Sequence, residues 1–375
     1  MKAKVLFVFS LCFLFTYALA RTEYVPGEIL VKFKTGHELQ AMFENRRIGA
    51  KVMETLPDLG VCRLKLPKNL DVLEGIEHYS NLSFVEYAEP NYIIRAFFTP
   101  NDPSFGSQWG PKKIQCSSAW DITFGSSSVL IAIVDTGISK THPDLSSKIA
   151  GGWNFYSNNS NYNDDNGHGS HCAGIAAAAT NNGVGIAGVG FNCRLLAVKV
   201  LNASGSGTLT TVANGITWSA NNGAKVISMS LGASSGSSTL LNAVNYAWSK
   251  NCILVAAAGN SGKTSPTYPA YYSNCIAVAS STSSDTRSYF SNYGSWVELA
   301  APGSSIYSTY KGSSYATLSG TSMACPHVSG VAGLVWSRFG TGQSNSWVRS
   351  KIESTADYVG TWVSKGRVNA YKAVQ

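Results

Sequence analysis

Charged side chains and cysteines are both scarce in this sequence. Asp, Glu, Lys and Arg together make up 13% of its 375 residues, and eight residues are cysteine. This cysteine content is too low for a small scaffold that depends on disulfides. Apolar residues reach 44%, which is enough to bury a core and excludes a chain that is disordered throughout. The length leaves room for more than one folded domain.

The sequence also lacks runs of basic residues, although its net charge is +8. Residues 21–97 hold ten basic and eleven acidic residues, whereas residues 98–375 hold seventeen basic and ten acidic ones. In the second region only Lys112 and Lys113 are adjacent, and no RNA-binding signature is present. Nucleic acid is therefore not an expected partner, and the excess charge indicates a weakly cationic solvated surface.

Long apolar runs are absent apart from one near the N-terminus, from Val5 to Leu19. It follows Lys2 and Lys4 and ends in small residues up to Ala20, a pattern typical of a secretory signal peptide. The run is short for a membrane span, and no second one follows. We therefore expect residues 1–20 to be removed, which leaves a soluble, exported protein without a stable membrane anchor.

Residues 21–97 and 98–375 have different patterns. The first region predicts a small α+β unit, with strands at 29–34, 61–66 and 84–87 and helices at 38–48 and 72–79. The second region alternates near-continuous aliphatic runs with helical stretches, which is typical of a doubly wound α/β domain with a parallel sheet. Its runs are 129–134, 195–201, 225–231, 253–258, 276–279 and 296–299, and its main helical stretches are 169–180, 209–221, 238–250 and 322–339.

Three residues with catalytic potential follow strands or begin helices of this pattern, where doubly wound sheets bind their ligands. Asp135 ends the first aliphatic run, His168 lies between Gly167 and Gly169, and Ser322 begins a helix. A hydroxyl becomes a nucleophile when a base takes its proton and a carboxylate orients that base. Each residue also has a structural interpretation, because strand-end Asp and helix-initial Ser are common capping residues. The three together favour catalysis.

The segments 135–137, 167–171 and 320–324 resemble the signature segments of the subtilisin-like serine proteases, the subtilases, in that family's order of Asp, His and Ser. Within that family the sequence is most similar to the thermitase-like branch, and the similarity extends from about Phe98 to Gln375. The resemblance implies a subtilisin-like α/β fold, with a doubly wound, mostly parallel sheet flanked by helices. A small ferredoxin-like α+β propeptide domain would precede it.

The resemblance assigns a role to each matching residue. Ser322 is expected to be the nucleophile, His168 the general base and later the acid, and Asp135 the carboxylate that orients His168. The side chain of Asn260, together with the backbone N–H of Ser322, matches the oxyanion hole. Two segments match the walls that bind an extended peptide with broad sequence tolerance: Ser230, Leu231 and Gly232, and Ala257, Ala258 and Gly259.

By the same resemblance, residues 21–97 form a propeptide that acts as intramolecular chaperone and inhibitor of a catalytic domain, residues 98–375. A parallel sheet folds slowly because its contacts are non-local, which is a physical reason to need such a helper. Autocleavage is expected between Arg95 and Thr99. Proteins and peptides are the expected substrates, and the mature enzyme is expected to be a monomer.

An oxygen-rich set of residues matches the strong calcium site of thermitase-like subtilases. Its expected Ca²⁺ ligands are the side chains of Asp102, Asp144 and Asn182 and the carbonyl oxygens of Ala179, Val184 and Ile186. Formation of turns is the alternative role for these polar side chains. At the second calcium site of these relatives, near the catalytic His, the aspartates are replaced by Asn154, Ser157 and Asn159, which argues against the site. The alternative is that Asp164 and Asp165 partly substitute for them, and the sequence does not decide between the two.

Residues 98–375 contain six cysteines, which admit fifteen pairings. Cys252 and Cys275 each precede a strand and are one suggested pair; Cys116 and Cys193 are the second, because the family fold brings their regions close. Cys172 follows His168 by one turn and Cys325 follows Ser322 by three residues. Catalysis by either thiol is an alternative, and it predicts inhibition by thiol alkylation.

The sequence therefore predicts a secreted, calcium-stabilised serine endopeptidase that is made as an autoprocessed zymogen. The alternative from another functional class is a non-catalytic, protein-binding relative of the same fold. All four expected catalytic positions are intact, which favours the enzyme. Reaction of Ser322 with a fluorophosphonate discriminates between the two hypotheses.

Overall fold

The computed structural model describes residues 24–94, 98–340 and 342–375. The chain forms two compact units, which divide between Ala96 and Phe97. The expected signal peptide, residues 1–20, lies outside the described residues, and so does most of the expected cleavage segment. Within the described ranges, no helix is both long and apolar enough to cross a membrane.

The first unit has the β-α-β-β-α-β order of a ferredoxin-like fold. Its elements are β1 (Tyr24–Phe33), α1 (Glu38–Ile48), β2 (Lys51–Leu56), β3 (Val61–Lys65), α2 (Val72–Ser80) and β4 (Val85–Tyr92). The strands lie in the order β2-β3-β1-β4, and all of their pairings are antiparallel. The sequence pattern did not predict β2, because this edge strand exposes nearly all of its side chains and has no buried face.

The core of the first unit lies between its sheet and its helices. Ile29 and Val31 of β1 alternate toward it and are fully buried, as are Leu64 and Tyr79. Helix α2 begins with a reciprocal pair of hydrogen bonds, in which Asp71 and Glu74 each accept from the other's backbone N–H. This cap satisfies two donors that a helix start otherwise leaves without partners.

The second unit is the expected doubly wound α/β domain. Its strands are β5 (Leu130–Asp135), β6 (Ile149–Asn154), β7 (Arg194–Lys199), β8 (Ala224–Met229), β9 (Ile253–Ala257), β10 (Cys275–Ser281), β11 (Leu299–Pro302), β12 (Ile306–Thr309), β13 (Tyr315–Leu318) and β14 (Gly366–Arg367). Its helices are α3 (Trp109–Lys113), α4 (Cys116–Trp120), α5 (His168–Ala177), α6 (Leu209–Asn221), α7 (Ser238–Ser249), α8 (Thr321–Phe339), α9 (Asn345–Ser354) and α10 (Ala370–Val374).

In the described residues, eight of these strands form one sheet in the order β14-β11-β10-β9-β8-β5-β7-β6, with parallel pairing throughout. Successive side chains of a strand point to opposite faces. In β5, Ile131 and Ile133 join the core on the side of α5 and α8, and Ala132 and Val134 join the core on the side of α6 and α7. Because both faces are covered, central strands such as β5 and β9 are aliphatic almost without interruption.

The strand expected at 296–299 starts later in the structure. Strand β11 begins at Leu299, the last residue of that stretch, because the preceding residues form a turn. The N–H of Val297 donates to the carbonyl of Gly294 at 3.0 Å. The indole N–H of Trp296 donates to Thr264 at 2.8 Å. The Trp296 contact is tertiary, so the local apolar pattern did not reveal it.

Both suggested disulfides are wrong for this structure, since every cysteine among the described residues is unpaired. Cys275 stands opposite Leu254 in the β9–β10 ladder, so Cys252 lies two residues out of register, about 6–7 Å along the strand. Its thiol instead donates to the carbonyl of Ala224 at 3.1 Å. Cys193 lies beside the hydroxyl of Ser337 at 3.8 Å, and Cys116 is fully buried as a free thiol.

Candidate active site

Asp135 is the last residue of β5, at the carboxyl edge of the sheet. Its carboxylate is fully buried and accepts a hydrogen bond from the backbone N–H of Thr136 at 2.7 Å. The adjacent strand β7 also ends at this level, because Asp135 stands opposite Lys199. A buried carboxylate at a strand end therefore faces the side on which such sheets bind ligands.

His168 begins helix α5 and meets this carboxylate. Its Nδ1 lies 2.8 Å from Oδ1 and 3.0 Å from Oδ2 of Asp135. Gly167 just before it has a φ of 111°, and a Cβ at that position would lie 2.4 Å from the ring of Tyr310. Only glycine fits both the backbone conformation and the space, and this brings His168 close to Asp135.

The electrostatic environment of His168 favours its protonated form. Burial lowers the pKa of the imidazole, but the negative charges of Asp135 and Asp164 and the hydrogen bond to Asp135 outweigh it and raise the pKa. The carboxylate also assigns the proton of the neutral ring to Nδ1, because a carboxylate can only accept. The lone pair of Nε2 is then available to take a proton.

Ser322 is the second residue of helix α8. Its hydroxyl donates to the carbonyl of Ser230 at 3.2 Å, and in the described structure it forms no hydrogen bond with His168. Hydrogen bonds between a nucleophile and its base are often long in the free enzyme and shorten when substrate binds. Cys172 connects Ser322 to the other two residues: its thiol donates to the Ser322 carbonyl at 3.3 Å, and its sulfur lies within 4.8 Å of the side-chain ligand atoms of His168 and Asp135.

A proline inside α8 changes how Ser322 is held. Pro326 has no N–H, so the carbonyl of Ser322, four residues earlier, has no helical hydrogen bond to accept. Two other side chains use this carbonyl instead: the hydroxyl of Ser230 at 2.8 Å and the thiol of Cys172 at 3.3 Å. The Ser322 carbonyl is therefore attached to the residue that follows β8 and to α5 rather than to its own helix.

Both thiols near the site are poor candidates for the nucleophile. Cys172 and Cys325 are fully buried. Burial raises the pKa of Cys172 far above its usual range and that of Cys325 to about 11. A thiol reacts as its thiolate, so neither group is in its reactive form near neutral pH.

Asn260 presents an amide N–H₂ to the same cleft. Its Oδ1 accepts hydrogen bonds from the backbone N–H of Thr321 at 2.9 Å and from the Thr321 hydroxyl at 3.0 Å. The backbone N–H can only donate, which fixes the amide orientation and leaves Nδ2 as a donor. Sequence reasoning did not identify Thr321, although it directly precedes Ser322.

Two cavities adjoin Ser322 and His168. The first, of about 520 Å³, is lined by Asn260 and Ser322 and by five of the six expected wall residues: Ser230, Leu231, Gly232, Ala257 and Gly259. The structure does not bring Ala258 into this lining, because its side chain points into the core and its N–H bonds to Val278. The second cavity, of about 620 Å³, is lined by His168 and by apolar side chains that include Leu209 and Tyr268.

The expected calcium ligands also come together in space. Asp102 accepts from the backbone of Asn181 at 2.8 Å, and Asp144 accepts from Ile186 at 2.9 Å and from the side chain of Asn182 at 3.0 Å. Tyr315, which the sequence did not indicate, donates to Asp144 at 2.9 Å. Asp102 and Asp144 are both buried.

The residues present fit a hard cation. Burial, and then the charge of Asp144, raise the pKa of Asp102 against the hydrogen bonds from Asn181 and Asn182. In the described part of the chain neither carboxylate has a Lys or Arg partner. A Cβ on Gly185 would lie 2.1 Å from Oδ2 of Asp144, so the loop closes tightly around this carboxylate. Oxygen donors with uncompensated negative charge are what calcium prefers.

The region of the second calcium site is occupied by the protein's own donors. The side chain of Asn154 accepts from the backbone N–H groups of Tyr156 and Ser157, each at 3.0 Å. Asp165 pairs with the ammonium of Lys199 at 2.7 Å. Asn154 and Asp165 therefore both have partners within the described structure.

Comparisons with known proteins agree with this architecture. The model of the Subtilase family matches residues 126–371, and that of the fervidolysin N-terminal prodomain matches residues 17–91. Thermitase of Thermoactinomyces vulgaris is 61% identical over 282 residues, which cover 74% of this chain and 100% of the relative. A thermophilic serine proteinase of a Bacillus species is 45% identical over 359 residues, which cover 94% of this chain and 88% of the relative.

Among solved structures, a protease from Pseudoalteromonas arctica matches with a TM-score of 0.70 and 34% identity, over 74% of this chain and 99% of the other. Fold and relatives together define a serine endopeptidase. The chain belongs to the subtilase family, and a prodomain precedes its protease domain.

Proposed function

We propose that this subtilase is secreted as a zymogen and hydrolyses proteins with broad specificity, using Ser322 as nucleophile, His168 as base and Asp135 as orienting carboxylate. The observation that carries the assignment is the His168–Asp135 hydrogen bond at the carboxyl edge of the sheet, beside Ser322 and Asn260. The alternative interpretation of these residues as caps does not explain why a buried carboxylate forms a hydrogen bond with an imidazole.

In the reaction, Ser322 Oγ attacks the scissile carbonyl carbon while Nε2 of His168 takes the hydroxyl proton. The resulting oxyanion accepts hydrogen bonds from Nδ2 of Asn260 and from the N–H of Ser322, which as a first-turn residue has no carbonyl within the helix to bond. His168 then protonates the leaving amine. Water repeats the same steps on the acyl-enzyme and releases the acid, while Asp135 stabilises the imidazolium throughout.

Asn260→Ala is expected to lower kcat by about 10²–10³-fold, a magnitude known for the corresponding change in a subtilisin, and to leave KM nearly unchanged. The reason is that its N–H₂ meets negative charge only in the transition state. Steady-state hydrolysis of a peptide p-nitroanilide measures both constants. A loss below tenfold in kcat, or a loss confined to KM, would contradict the oxyanion role.

Substrate backbone is proposed to add as an extended strand along the segments 230–232 and 257–259. Main-chain hydrogen bonds of this kind do not depend on side chains, which supports broad tolerance. The second cavity, lined by Leu209 and Tyr268, favours apolar side chains in the part of the substrate that it receives.

Residues 1–20 are proposed to direct export, and residues 21–97 to assist folding and then inhibit the domain formed by residues 98–375. The slow folding expected of an eight-stranded parallel sheet supports the need for assistance. Cleavage between Arg95 and Thr99 would release the mature, monomeric enzyme. N-terminal sequencing of the secreted protein tests both boundaries.

Calcium is proposed to stabilise the mature domain through Asp102, Asp144 and the loop that contains Asn182, with carbonyl oxygens of Ala179, Val184 and Ile186. When bound, the ion neutralises two buried carboxylates and ties the segment before α3 to the loop after α5. It contributes to stability and takes no part in bond cleavage.

Removal of calcium is therefore expected to lower the Tm of the mature protein. A ligand at a thousand times its Kd stabilises by about 4 kcal/mol, which corresponds to about 10 °C for a domain of this size. Calorimetry of sulfonyl-fluoride-inactivated enzyme in calcium and in chelator measures the difference. Magnesium is the control, because it demands a smaller octahedral site. The assignment would be refuted if chelation left the Tm unchanged. It would also be refuted if chelation lowered the Tm of Asp144→Asn as much as it lowers that of the wild type.

The catalytic assignment is tested directly by a fluorophosphonate probe on the mature protein. We expect one adduct, on Ser322, and loss of all turnover in proportion to labelling. Iodoacetamide is the matched control reagent for the thiol hypothesis, and it is expected to leave activity unchanged because Cys172 and Cys325 are buried. Absence of the serine adduct would favour the non-catalytic alternative.

A further inference from the structure

Asp164 has a buried carboxylate beside the active site with no role in the chemistry above. Asp164 is 3% exposed, and both oxygens of its carboxylate accept hydrogen bonds from several donors. Oδ1 accepts from the Thr136 hydroxyl at 2.9 Å and from the N–H groups of Asn166 at 3.0 Å and Gly167 at 2.9 Å. Oδ2 accepts from the N–H of Ser170 at 2.9 Å and from its hydroxyl at 2.7 Å.

These five bonds join the two segments that carry Asp135 and His168. Thr136 directly follows Asp135, and its hydroxyl also accepts from the N–H of Gly169, the residue after His168, at 2.8 Å. The carboxylate thus fixes the turn after β5 and the first turn of α5 to one another. A change of less than 1 Å between these segments alters the His168–Asp135 distance directly.

The five donors are all neutral, so none of them supplies a positive charge to compensate the Asp164 carboxylate. The charged and titratable groups around His168 are Asp135 and Asp164 on the carboxylate side and His171 and Cys172 on its own helix. The nearby Lys199 ammonium does not bind Asp164; it contacts Asp165 and the carbonyls of Thr136 and Leu201. Asp164 therefore acts on His168 by charge as well as by position.

We propose that Asp164 is a positioning residue of the endopeptidase reaction, which holds the Asp135 turn against the start of α5 and contributes negative charge toward His168. This rests on the proposed roles of His168 and Asp135. The two effects are separable, because Thr136 carries the link between the segments and Asp164 alone carries the charge.

The test compares Asp164→Asn and Thr136→Val, with Asp165→Asn as the charge-matched control one residue away. The concentration of active sites is counted with a fluorophosphonate in every sample, so that misfolded protein does not enter kcat. The profile of kcat/KM against pH is then measured with a peptide p-nitroanilide. The conservative variant Thr136→Ser, which retains the hydroxyl, reports rescue of the link.

For Asp164→Asn we expect the acid limb of kcat/KM to move to lower pH by about 0.5 unit, because loss of a nearby negative charge makes His168 easier to deprotonate. Its plateau kcat falls about tenfold with KM little changed, since a misaligned base lowers the rate of chemistry rather than binding. Thr136→Val gives the loss in kcat without the shift in pH, and Thr136→Ser recovers the rate.

An acid limb in Asp164→Asn that coincides with the wild type, or a shift equal to that of Asp165→Asn, would overturn the proposal. So would a plateau kcat in Thr136→Val equal to the wild-type value. If Asp164→Asn gives no titratable sites, Thr136→Val and Thr136→Ser still decide the positioning role. Failure of the proposed function is distinguishable, because the wild type would then neither react with the probe nor hydrolyse the substrate.

Discussion

Ser322→Ala is expected to abolish turnover and to leave the protein as a precursor that retains residues 21 onward. Nucleophile, base and carboxylate act as one unit, so removal of the hydroxyl costs about 10⁶-fold in kcat, the size known for the equivalent change in a subtilisin. A cut between Arg95 and Thr99 made by the chain itself would slow by the same factor. Gel mobility and intact mass of the secreted protein then report catalysis and maturation together.

Ser319→Ala is the matched control for this experiment. Ser319 lies three residues earlier, just before α8, and in the described structure its hydroxyl accepts a hydrogen bond from the backbone N–H of Ser305 at 2.8 Å. We expect this variant to mature normally and to keep kcat within a few-fold of the wild type. Normal maturation of Ser322→Ala in the absence of any added protease would contradict autoprocessing. A kcat that falls by less than about 10³-fold would contradict the nucleophile assignment.

Acid is expected to destabilise the mature domain strongly between pH 6.5 and about pH 4. Burial lowers the pKa of His171 to about 4 and that of His327 to about 4, whereas an unfolded His titrates near 6.5. The unfolded chain therefore binds more protons than the folded one in this window. The free energy of unfolding is highest above pH 6.5 and falls by ~3 kcal/mol for each residue as the pH reaches 4.

The hydrogen bonds of the two rings explain why they stay neutral. Nε2 of His171 points at the carbonyls of Ile306 at 3.1 Å and Ala316 at 3.0 Å, so it carries the proton, and Nδ1 has no partner. His327 is reversed: Nδ1 faces the carbonyl of Met323 at 2.8 Å, and Nε2 packs against Gly110. A second proton on either ring would be a buried N–H without an acceptor.

Urea unfolding of enzyme inactivated by a sulfonyl fluoride, followed from pH 7 to pH 4.5, measures this effect without autolysis. We expect a slope of at least two protons, at about 1.4 kcal/mol per pH unit for each, with His142 adding to it because burial also lowers its pKa. In His327→Gln the slope should fall by about one proton, whatever the stability of the variant at pH 7. An unchanged slope would show that His327 does not control the acid limit.

Many elements of the protease domain could be predicted from the sequence, because the aliphatic run of a buried parallel strand stops where the strand ends. Asp135 was located by the end of an aliphatic run, and helix α6 was predicted with its observed bounds, Leu209–Asn221, since a capping threonine and an amphipathic repeat define it. Strand β6 was missed because it consists of Ile149–Asn154, with two glycines in place of an aliphatic run.

What the sequence could not provide are contacts between segments far apart in the chain. The register that separates Cys252 from Cys275 depends on how two strands pair, and the Thr136 hydroxyl reaches Asp164 from 28 residues away in the chain. Ala258 was expected at the cleft because the segment 257–259 matches a substrate-binding wall of the family. Directly after β9, however, the alternation of side chains continues and directs Ala258 into the core. These features depend on packing, and local pattern does not encode packing.

The proline in α8 affects the stage of folding at which Ser322 acquires its position. Since Pro326 leaves the carbonyl of Ser322 without a helical partner, helix formation by itself does not position the nucleophile. Position is acquired only when Ser230 and Cys172 arrive from two other parts of the chain. Under the proposed mechanism, a partly folded molecule that already has this helix therefore still lacks the two contacts that hold Ser322 in place.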